Sequence, residues 1–255
     1  MKRRHFLKTV CTAVSAGMLG RRAAAGSVSG RGGQFHTVEH LRKFEGLKTG
    51  LFLHYGMMTY FDRPWRDYAC VPATRFAPTA LSPEQWVELA AECGMKYAVL
   101  TTKHVLGFCL WPSNVSKYHV GHSGLKIDVV GRFTQVCRER GLEPCLYINM
   151  LDVHKRCGAD SPWRRRFKDR KIQRDSDEYN KFQRAITKEL VTTYKPFMVW
   201  YDGPTAPHGL CELCHELQPD LLVLVNQAFK DGTKVLKDRW PADIITGEVT
   251  LPPAT

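Results

Sequence analysis

The hydrophobic residues of this chain alternate between short continuous apolar runs and longer amphipathic segments. Glycines bound the apolar run GLFLHYG at 50–56, which is typical of a strand buried on both faces. The segment SPEQWVELAAECG at 82–94 predicts a helix, because it begins with an N-cap serine and a proline and ends at a glycine. We expect the apolar face of that helix to consist of Trp86, Leu89, Ala90 and Cys93.

Strand and helix patterns continue to alternate through the rest of the chain. Further strands are predicted at 97–104, 145–152, 197–202, 221–227 and 243–248. Further helices are predicted at 128–141, about 176–194 and 210–218. Such an alternation implies a parallel sheet with right-handed crossovers. The predicted fold class is therefore α/β, as a (β/α) barrel of the TIM type.

Polar side chains stand at the carboxyl ends of the predicted strands. They are His54, His104, Asp152, Asp202, Asn226 and Glu248. One polar residue at the end of strand after strand is what the active site of a (β/α) barrel requires. No G-x-G-x-x-G sequence follows the first strand, so a dinucleotide-binding sheet has no support.

The number of predicted strands falls short of a closed barrel. A barrel of this type has eight strands, whereas the pattern predicts about six before the chain stops at LPPAT. We therefore expect the glycosidase-like barrel domain, assigned to 45–255, to be incomplete. An unclosed parallel sheet exposes two edges and its apolar interior. We expect the isolated chain to be poorly soluble or to recruit another chain, and to be weakly active at best.

Basic residues are concentrated at the N terminus. Six of them precede residue 26 without an acidic residue, which leaves +6 of the formal net charge of +12 to the rest of the chain. They flank a short apolar run and an A-x-A cleavage pattern at Ala23 and Ala25, which resembles a twin-arginine export signal. We assign 1–25 to this signal and 26–44 to a linker and N-terminal segment, and expect a periplasmic or extracellular protein. The alternative is a disordered basic tail.

A second basic cluster lies at 164–174, RRRFKDRKIQR, with seven basic residues and one acidic residue. Most such runs are solvated surface. Because the segment follows the third predicted strand, it is also a candidate for binding sulfated or carboxylated glycans, which arginine forks suit. Nucleic acid and membrane are not expected partners, since the other basic residues are scattered and the N-terminal apolar run is too short to span a bilayer. The oligomeric state stays open.

Cysteine is frequent in this chain, and eight of its nine cysteines follow residue 26. The disulfide candidates in an oxidising compartment are Cys70, Cys157, Cys211 and Cys214. The spacing leaves their pairing open. The sequence CELCH at 211–215 matches a haem-attachment pattern, but leucines at helical spacing make it an ordinary amphipathic helix, and a metal site would lack an obvious fourth ligand. No metal or organic cofactor is expected.

Four stretches of the chain carry more specific motifs. They are TGLFLHYG, KYAVLTTKHVLGFCLWPS, DVVGRFTQVCRERGLEPCLYINMLD and ELVTTYKPFMVWYDG. Together they resemble glycoside hydrolase family 29, the α-L-fucosidases, and the similarity covers roughly residues 45–250. The resemblance implies a retaining glycosidase in which the aspartate of a W-x-D-G motif, here Asp202, is the nucleophile. The alternative is that Asp202 only caps the helix after its strand.

The same resemblance implies further site residues. A retaining mechanism needs a second carboxyl about 5 to 5.5 Å from the nucleophile, which acts first as acid and then as base. The family's acid/base glutamate lies on a later strand shortly before a proline, which here indicates Glu248, with Asp243 as the alternative. The residues implied to bind the substrate are His54, His104, Tyr147 and Trp200.

The motif KHVLGF at 103–108 departs from the family pattern K-H-H-D-G-F. His104 is retained, whereas Val105 and Leu106 replace a histidine and an aspartate. Losing two hydroxyl-binding groups weakens the recognition of fucose. We therefore expect the substrate to be a glycan that carries terminal α-L-fucose or a related sugar, sulfated sugars included. The alternative is a non-catalytic or degenerate carbohydrate-binding relative.

Overall fold

The computed structural model describes residues 38–60, 71–152, 177–203, 209–226, 229–230, 234–235 and 242–246. Its strands are β1 Gly50–Leu53, β2 Tyr97–Lys103, β3 Glu143–Asn149, β4 Met198–Asp202, β5 Leu222–Val225, β6 Phe229–Lys230, β7 Lys234–Val235 and β8 Ile244–Ile245. Six of them form one parallel sheet in the order β1-β2-β3-β4-β5-β8. Strands β6 and β7 form a separate antiparallel pair. Within the described residues, the prediction of six parallel strands is therefore confirmed, whereas the β6–β7 pair was not predicted.

Helices separate the first five strands of the sheet. They are α1 Val38–Leu47, α2 Met57–Tyr60, α3 Pro83–Glu92, α4 Val129–Glu139, α5 Asp177–Tyr194 and α6 Leu210–Leu217. The four predicted helices correspond to α3, α4, α5 and α6. Their N-caps are local in origin: the Ser82 hydroxyl accepts from the backbone N–H of Gln85 at 3.2 Å, and the Asp128 carboxylate accepts from that of Gly131 at 2.8 Å. The predicted order of strands and helices is thus confirmed.

The apolar face of α3 differs from the predicted one. Leu89 is 45% exposed and Cys93 is exposed, whereas Val87 and Ala90 are buried. Trp86 is only partly buried against the core. The helix is rotated so that positions three and four residues apart from Pro83 onward face the sheet. Several faces of this helix are apolar, so its sequence alone did not select the buried one.

The two faces of the sheet bury two different sets of side chains. The face that helices α3 to α6 cover buries Ala98, Leu100, Leu146, Ile148, Val199, Tyr201, Val223 and Val225. The opposite face, which we call the inner face, buries Val99, Cys145, Tyr147, Met198, Leu222 and Leu224. Helix α1 packs Leu41, Phe44 and Leu47 against the inner face. Lys43 of this helix pairs with Glu143 at the start of β3 at 2.6 Å, so α1 covers the amino-terminal end of that face and not the end at which the strands finish.

The CELCH sequence is part of the core between α6 and the sheet. Cys214 is fully buried, and its Sγ lies 3.1 Å from the Tyr201 hydroxyl. His215 pairs with Asp243 at 3.0 Å. Cys211 and Cys214 are free thiols, which removes both from the disulfide candidates, and the other two candidates lie outside the described residues. No group of three or more metal-ligating side chains occurs in the described part of the chain.

No helix among the described segments combines the length and the apolar character needed to cross a membrane.

Glu189 on α5 fastens the loop after β2 to the helix layer. Its carboxylate accepts from Trp111 Nε1 at 2.9 Å, from the Ser113 hydroxyl at 2.5 Å and from the Asn114 backbone N–H at 2.6 Å.

Glu189→Ala should lower the free energy of unfolding by about 2 to 3 kcal/mol, because it leaves the indole N–H of a buried tryptophan without an acceptor. Urea unfolding followed by circular dichroism measures this loss. Glu88→Ala, which removes a solvent-exposed pair with Arg140, is the matched control and should cost less than about 1 kcal/mol.

Candidate active site

The Asp202 carboxylate at the end of β4 accepts hydrogen bonds from three side chains. Tyr147 donates its hydroxyl to Oδ2 at 2.5 Å, and Asn149 donates Nδ2 to the same oxygen at 2.9 Å. Asn226, directly after β5, donates Nδ2 to Oδ1 at 3.0 Å. All three donors are neutral groups, so they orient the carboxylate without contributing a positive charge.

Strand register explains why these groups meet. The parallel pairing of β3 with β4 sets Asn149 opposite Asp202 and Tyr147 opposite Trp200. Because side chains alternate between the two faces of a sheet, all four residues lie on the inner face. Gly203 follows with φ +97°, a conformation that favours glycine, and turns the chain away directly after the carboxylate.

Thr246 extends the hydrogen-bond network to the last strand of the sheet. Its hydroxyl donates to Oδ1 of Asn226 at 2.9 Å. The Asn226 amide oxygen thus serves as an acceptor, so its NH₂ group is directed at Asp202. The network reaches from β3 through β4 and β5 to the residue after β8.

Aromatic and imidazole rings surround this carboxylate network. The His54 ring centroid lies 5.4 Å from that of His104 and 5.5 Å from that of Tyr147. His104 also stacks on Tyr147 at 5.8 Å, and Phe52 meets Trp200 edge to face at 4.9 Å. The structure therefore brings together the five predicted site residues that it describes, His54, His104, Tyr147, Trp200 and Asp202.

His104 lies in an environment that disfavours its protonated form. Burial is the main cause that lowers its pKa to about 4, the charges of His54 and Lys103 lower it further, and Asp202 opposes the shift. Within the described part of the chain, its buried Nδ1 atom has no hydrogen-bond partner. A neutral imidazole with an unused nitrogen is suited to bind a hydroxyl group of a ligand.

Asp152 does not join the network around Asp202. It is 2% exposed and packs against Gly107, where any Cβ would collide with its carboxylate. On β3 the polar group that faces Asp202 is Asn149, which the sequence analysis missed. Asn149 lies two residues after Tyr147, and this spacing could have identified it, because strand residues two apart share a face. Phe52 was also missed, although it lies two residues before His54 and therefore shares its face of the strand.

Asp243 lies on the other face of the sheet. Its carboxylate accepts from the Val223 backbone N–H at 2.7 Å and pairs with His215 of α6 at 3.0 Å. It precedes β8 and adjoins β5 well before the end of that strand, so it is unsuited to the acid/base role. Glu248 lies outside the described residues, and its role stays a prediction.

The motif KHVLGF forms an apolar wall beside the two histidines. Val105 is 9% exposed and Leu106 is 2% exposed. Leu106 lines a cavity of about 180 Å³ together with His54, His104, Met57 and Phe108. The two residues that depart from the family pattern are therefore packed as core and offer no hydrogen bond to a hydroxyl.

The pKa of His104 leads to a testable pH dependence of stability. Because the folded value of about 4 lies below the ordinary 6.5, the unfolded chain binds this proton first as the pH falls. The stability linked to His104 is present above about pH 6.5 and is lost towards pH 4, with a total of about 3 kcal/mol. Urea unfolding at pH 7 and pH 4.5 should therefore show a larger loss for wild type than for His104→Asn. Equal losses of stability in the two proteins would contradict the lowered pKa of His104.

Comparisons with known proteins identify the family. The α-L-fucosidase family model matches residues 59–251. Alpha-L-fucosidase 1 of Arabidopsis thaliana is 31% identical over 186 residues, which are 68% of this chain and 34% of the relative. Putative alpha-L-fucosidase 1 of Oryza sativa subsp. japonica is 38% identical over 157 residues, which are 60% of this chain and 27% of the relative. The matched residues thus span between about a quarter and a third of the length of these two curated relatives.

Solved structures give the same result for the fold. A putative alpha-L-fucosidase from Bacteroides ovatus has a TM-score of 0.60 at 26% identity, covering 76% of this chain and 34% of that one. A glycoside hydrolase 29 family member from an unknown rumen bacterium has a TM-score of 0.62 at 24% identity, covering 76% and 38%. The six-stranded sheet corresponds to part of the catalytic (β/α) barrel of these enzymes. The chain belongs to the α-L-fucosidase family, glycoside hydrolase family 29.

Proposed function

We propose that this protein is a retaining glycoside hydrolase that removes terminal α-L-fucose, or a related sugar, from glycans. The observation that carries this proposal is the Asp202 carboxylate, which is oriented by three neutral donors and faces a ring cluster at the carboxyl edge of the sheet. Family membership supports the reaction class. Asp202 is the proposed nucleophile.

The hydrogen bonds of Asp202 suit this role. A carboxylate nucleophile must keep its negative charge and present an oxygen atom to the anomeric carbon of the sugar. Tyr147, Asn149 and Asn226 hold its orientation without supplying a cation, so the charge stays available for the attack. Pre-orientation by the protein lowers the cost of reaching the reactive geometry.

The surrounding rings suit the binding of a sugar. Trp200, Tyr147 and Phe52 offer aromatic surface to the apolar side of a pyranose ring. His54 and His104 offer ring nitrogens to its hydroxyl groups, and the low pKa of His104, about 4, keeps that imidazole neutral at pH 7. A neutral sugar therefore meets apolar rings and neutral hydrogen-bonding groups beside one carboxylate.

Glu248 is the proposed acid/base. Its support is its position two residues after Thr246, whose hydroxyl is hydrogen-bonded to the amide that contacts Asp202. In a retaining mechanism this group first protonates the leaving oxygen and then activates the water that releases the sugar.

The finer identity of the sugar rests on two departures from the family pattern. Val105 and Leu106 are buried apolar residues, so they bind no hydroxyl group, and a substrate related to fucose but not identical with it is favoured. The basic segment 164–174 is the basis for proposing sulfated glycans, and it lies outside the described residues.

Asp202→Ala tests the proposed nucleophile. Hydrolysis of 4-nitrophenyl α-L-fucoside should fall by at least about 10³-fold, because no covalent intermediate can form. The unfolding curve of the variant should stay cooperative. Asp220→Ala, at an exposed aspartate before β5, is the matched control and should keep wild-type turnover.

Two further arms of this experiment decide the mechanism. Glu248→Ala should slow substrates with poor leaving groups more than aryl fucosides, since an aryl oxide needs less protonation. NMR of the first-formed sugar should show retained anomeric configuration. Unchanged turnover in Asp202→Ala would refute the nucleophile, and sugar binding by wild type without any hydrolysis would favour the non-catalytic alternative.

We also propose that the protein is exported through its twin-arginine signal. Replacing Arg3 and Arg4 together by lysine should leave the full-length precursor in the cytoplasm, because the paired arginines define this signal. Cell fractionation and N-terminal sequencing of the wild-type protein measure the outcome, with Gly26 expected as the first residue. A wild-type protein that stays in the cytoplasm with residues 2–25 attached would refute the proposal.

A further inference from the structure

Lys103, the last residue of β2, is a fully buried cation next to the candidate site. Its side chain is 0% exposed. The pairing of β2 with β3 is irregular at this point, since Thr101 pairs with Tyr147 and Lys103 with Ile148, so that Thr102 is one residue in excess. This is a β-bulge, a feature that redirects side chains.

The bulge changes which residue faces the candidate site. Val99 lies on the inner face, and regular alternation would place Lys103 there and His104 on the helix-covered face. With the extra residue, Lys103 pairs with Ile148, whose side chain belongs to the helix-covered face, and His104 joins the ring cluster instead.

The ammonium group of Lys103 holds the end of the neighbouring strand. Its Nζ donates to the backbone oxygen of Asn149 at 2.8 Å and to that of Leu151 at 3.0 Å. Between them lies Met150, whose backbone N–H donates to the backbone oxygen of Asp202 at 2.8 Å. The cation therefore binds the oxygen of the same peptide group whose N–H contacts Asp202, and also the carbonyl oxygen two residues further along the chain.

We propose that Lys103 is a positioning residue for Asp202. Its ammonium group fixes the end of β3, so that Asn149 keeps its amide on the Asp202 carboxylate. The catalytic consequence of this role rests on the function proposed above, whereas the positioning itself does not.

A buried lysine is a costly way to join two strands. Removing an ammonium group from water is unfavourable unless hydrogen bonds and charge compensate it, and an apolar side chain of the same size would pack without that cost. The strand end offers an unusual requirement, because two carbonyl oxygens there point to one place and need a donor that binds both. An ammonium group with three N–H donors meets it, and a thioether or methyl group does not.

The buried charge also acts on the site through its field. Lys103 contributes to the lowered pKa of His104, together with burial and His54, and against the opposing effect of Asp202. Loss of the ammonium group should therefore shift the titration of His104 upward. A residue that only filled space would leave this titration unchanged, so the pH profile separates the two roles.

Lys103→Met tests the proposal by kinetics. It should lower kcat for 4-nitrophenyl α-L-fucoside by about 10- to 100-fold and change KM by less than about threefold, because binding groups stay while the nucleophile loses its orientation. Lys96→Met, at an exposed lysine just before β2, is the matched control and should behave like wild type. Asn149→Ala and the double variant complete a cycle, in which the double variant should be little worse than Asn149→Ala alone. Additive losses would overturn the proposal.

Chemical rescue separates charge from packing. Lys103→Ala should regain activity with added propylammonium chloride, which supplies the ammonium donor, and should not respond to propanol at the same concentration. Rescue by both compounds would show that Lys103 only fills space, and rescue by neither would overturn the role assigned to its ammonium group.

A measurement without turnover keeps the proposal testable if the proposed function fails. In NMR spectra of wild type, the side-chain amide protons of Asn149 should exchange slowly with solvent, and Lys103→Met or Lys103→Gln should accelerate this exchange at least about tenfold. Fast exchange in wild type would overturn the positioning role even if no variant folds. Slow exchange in a wild-type protein that hydrolyses no glycoside would refute the proposed function and leave the positioning role standing.

Discussion

The register between β3 and β4 is the constraint on which the candidate site depends. It pairs Asn149 with Asp202, and the alternation of side chains then places both, together with Tyr147, on the inner face. A slip by one residue would turn Tyr147 and Asn149 towards the helices and remove both donors from the carboxylate. Leu146 and Ile148 are buried under the helices, and the slip would bring these apolar side chains to the open face. Their burial therefore opposes the slip. Packing on one face thus holds the chemistry on the other.

The bulge in β2 shows how one extra residue changes the face on which the following side chains lie. There a single extra residue, Thr102, reverses the alternation, and His104 reaches the ring cluster while Lys103 is directed to the end of β3. The excess residue is itself used, since the Thr102 hydroxyl donates to the Tyr147 backbone oxygen at 2.8 Å. Bulges commonly occur next to functional sites, where they redirect a side chain. Here the bulge assigns a neutral imidazole to the site and a cation to the frame around it.

The Asp202 carboxylate receives hydrogen bonds from neutral side chains. A phenol and two amides donate hydrogen bonds to Asp202, and the buried cation nearby donates hydrogen bonds to two backbone oxygens. His104 is kept neutral at pH 7 by burial, with a pKa of about 4. For a neutral sugar, discrimination between ligands then depends on contact with the aromatic rings and on the hydrogen-bonding groups of the site that a wrong ligand leaves unpaired. The apolar residues Val105 and Leu106 shift this balance further towards ring surface.

The sequence by itself determined the order of strands and helices, the parallel sheet and the position of Asp202, because apolar runs, N-caps and short motifs are local properties. It did not determine which polar residues at the strand ends meet. Asn149 and not Asp152 faces the carboxylate, and Asp243 lies on the other side of the sheet beside His215. These outcomes depend on strand register and on a bulge, which are set by contacts between segments far apart in the chain. A one-residue change in register moves a strand side chain to the opposite face, and only the folded structure decides it.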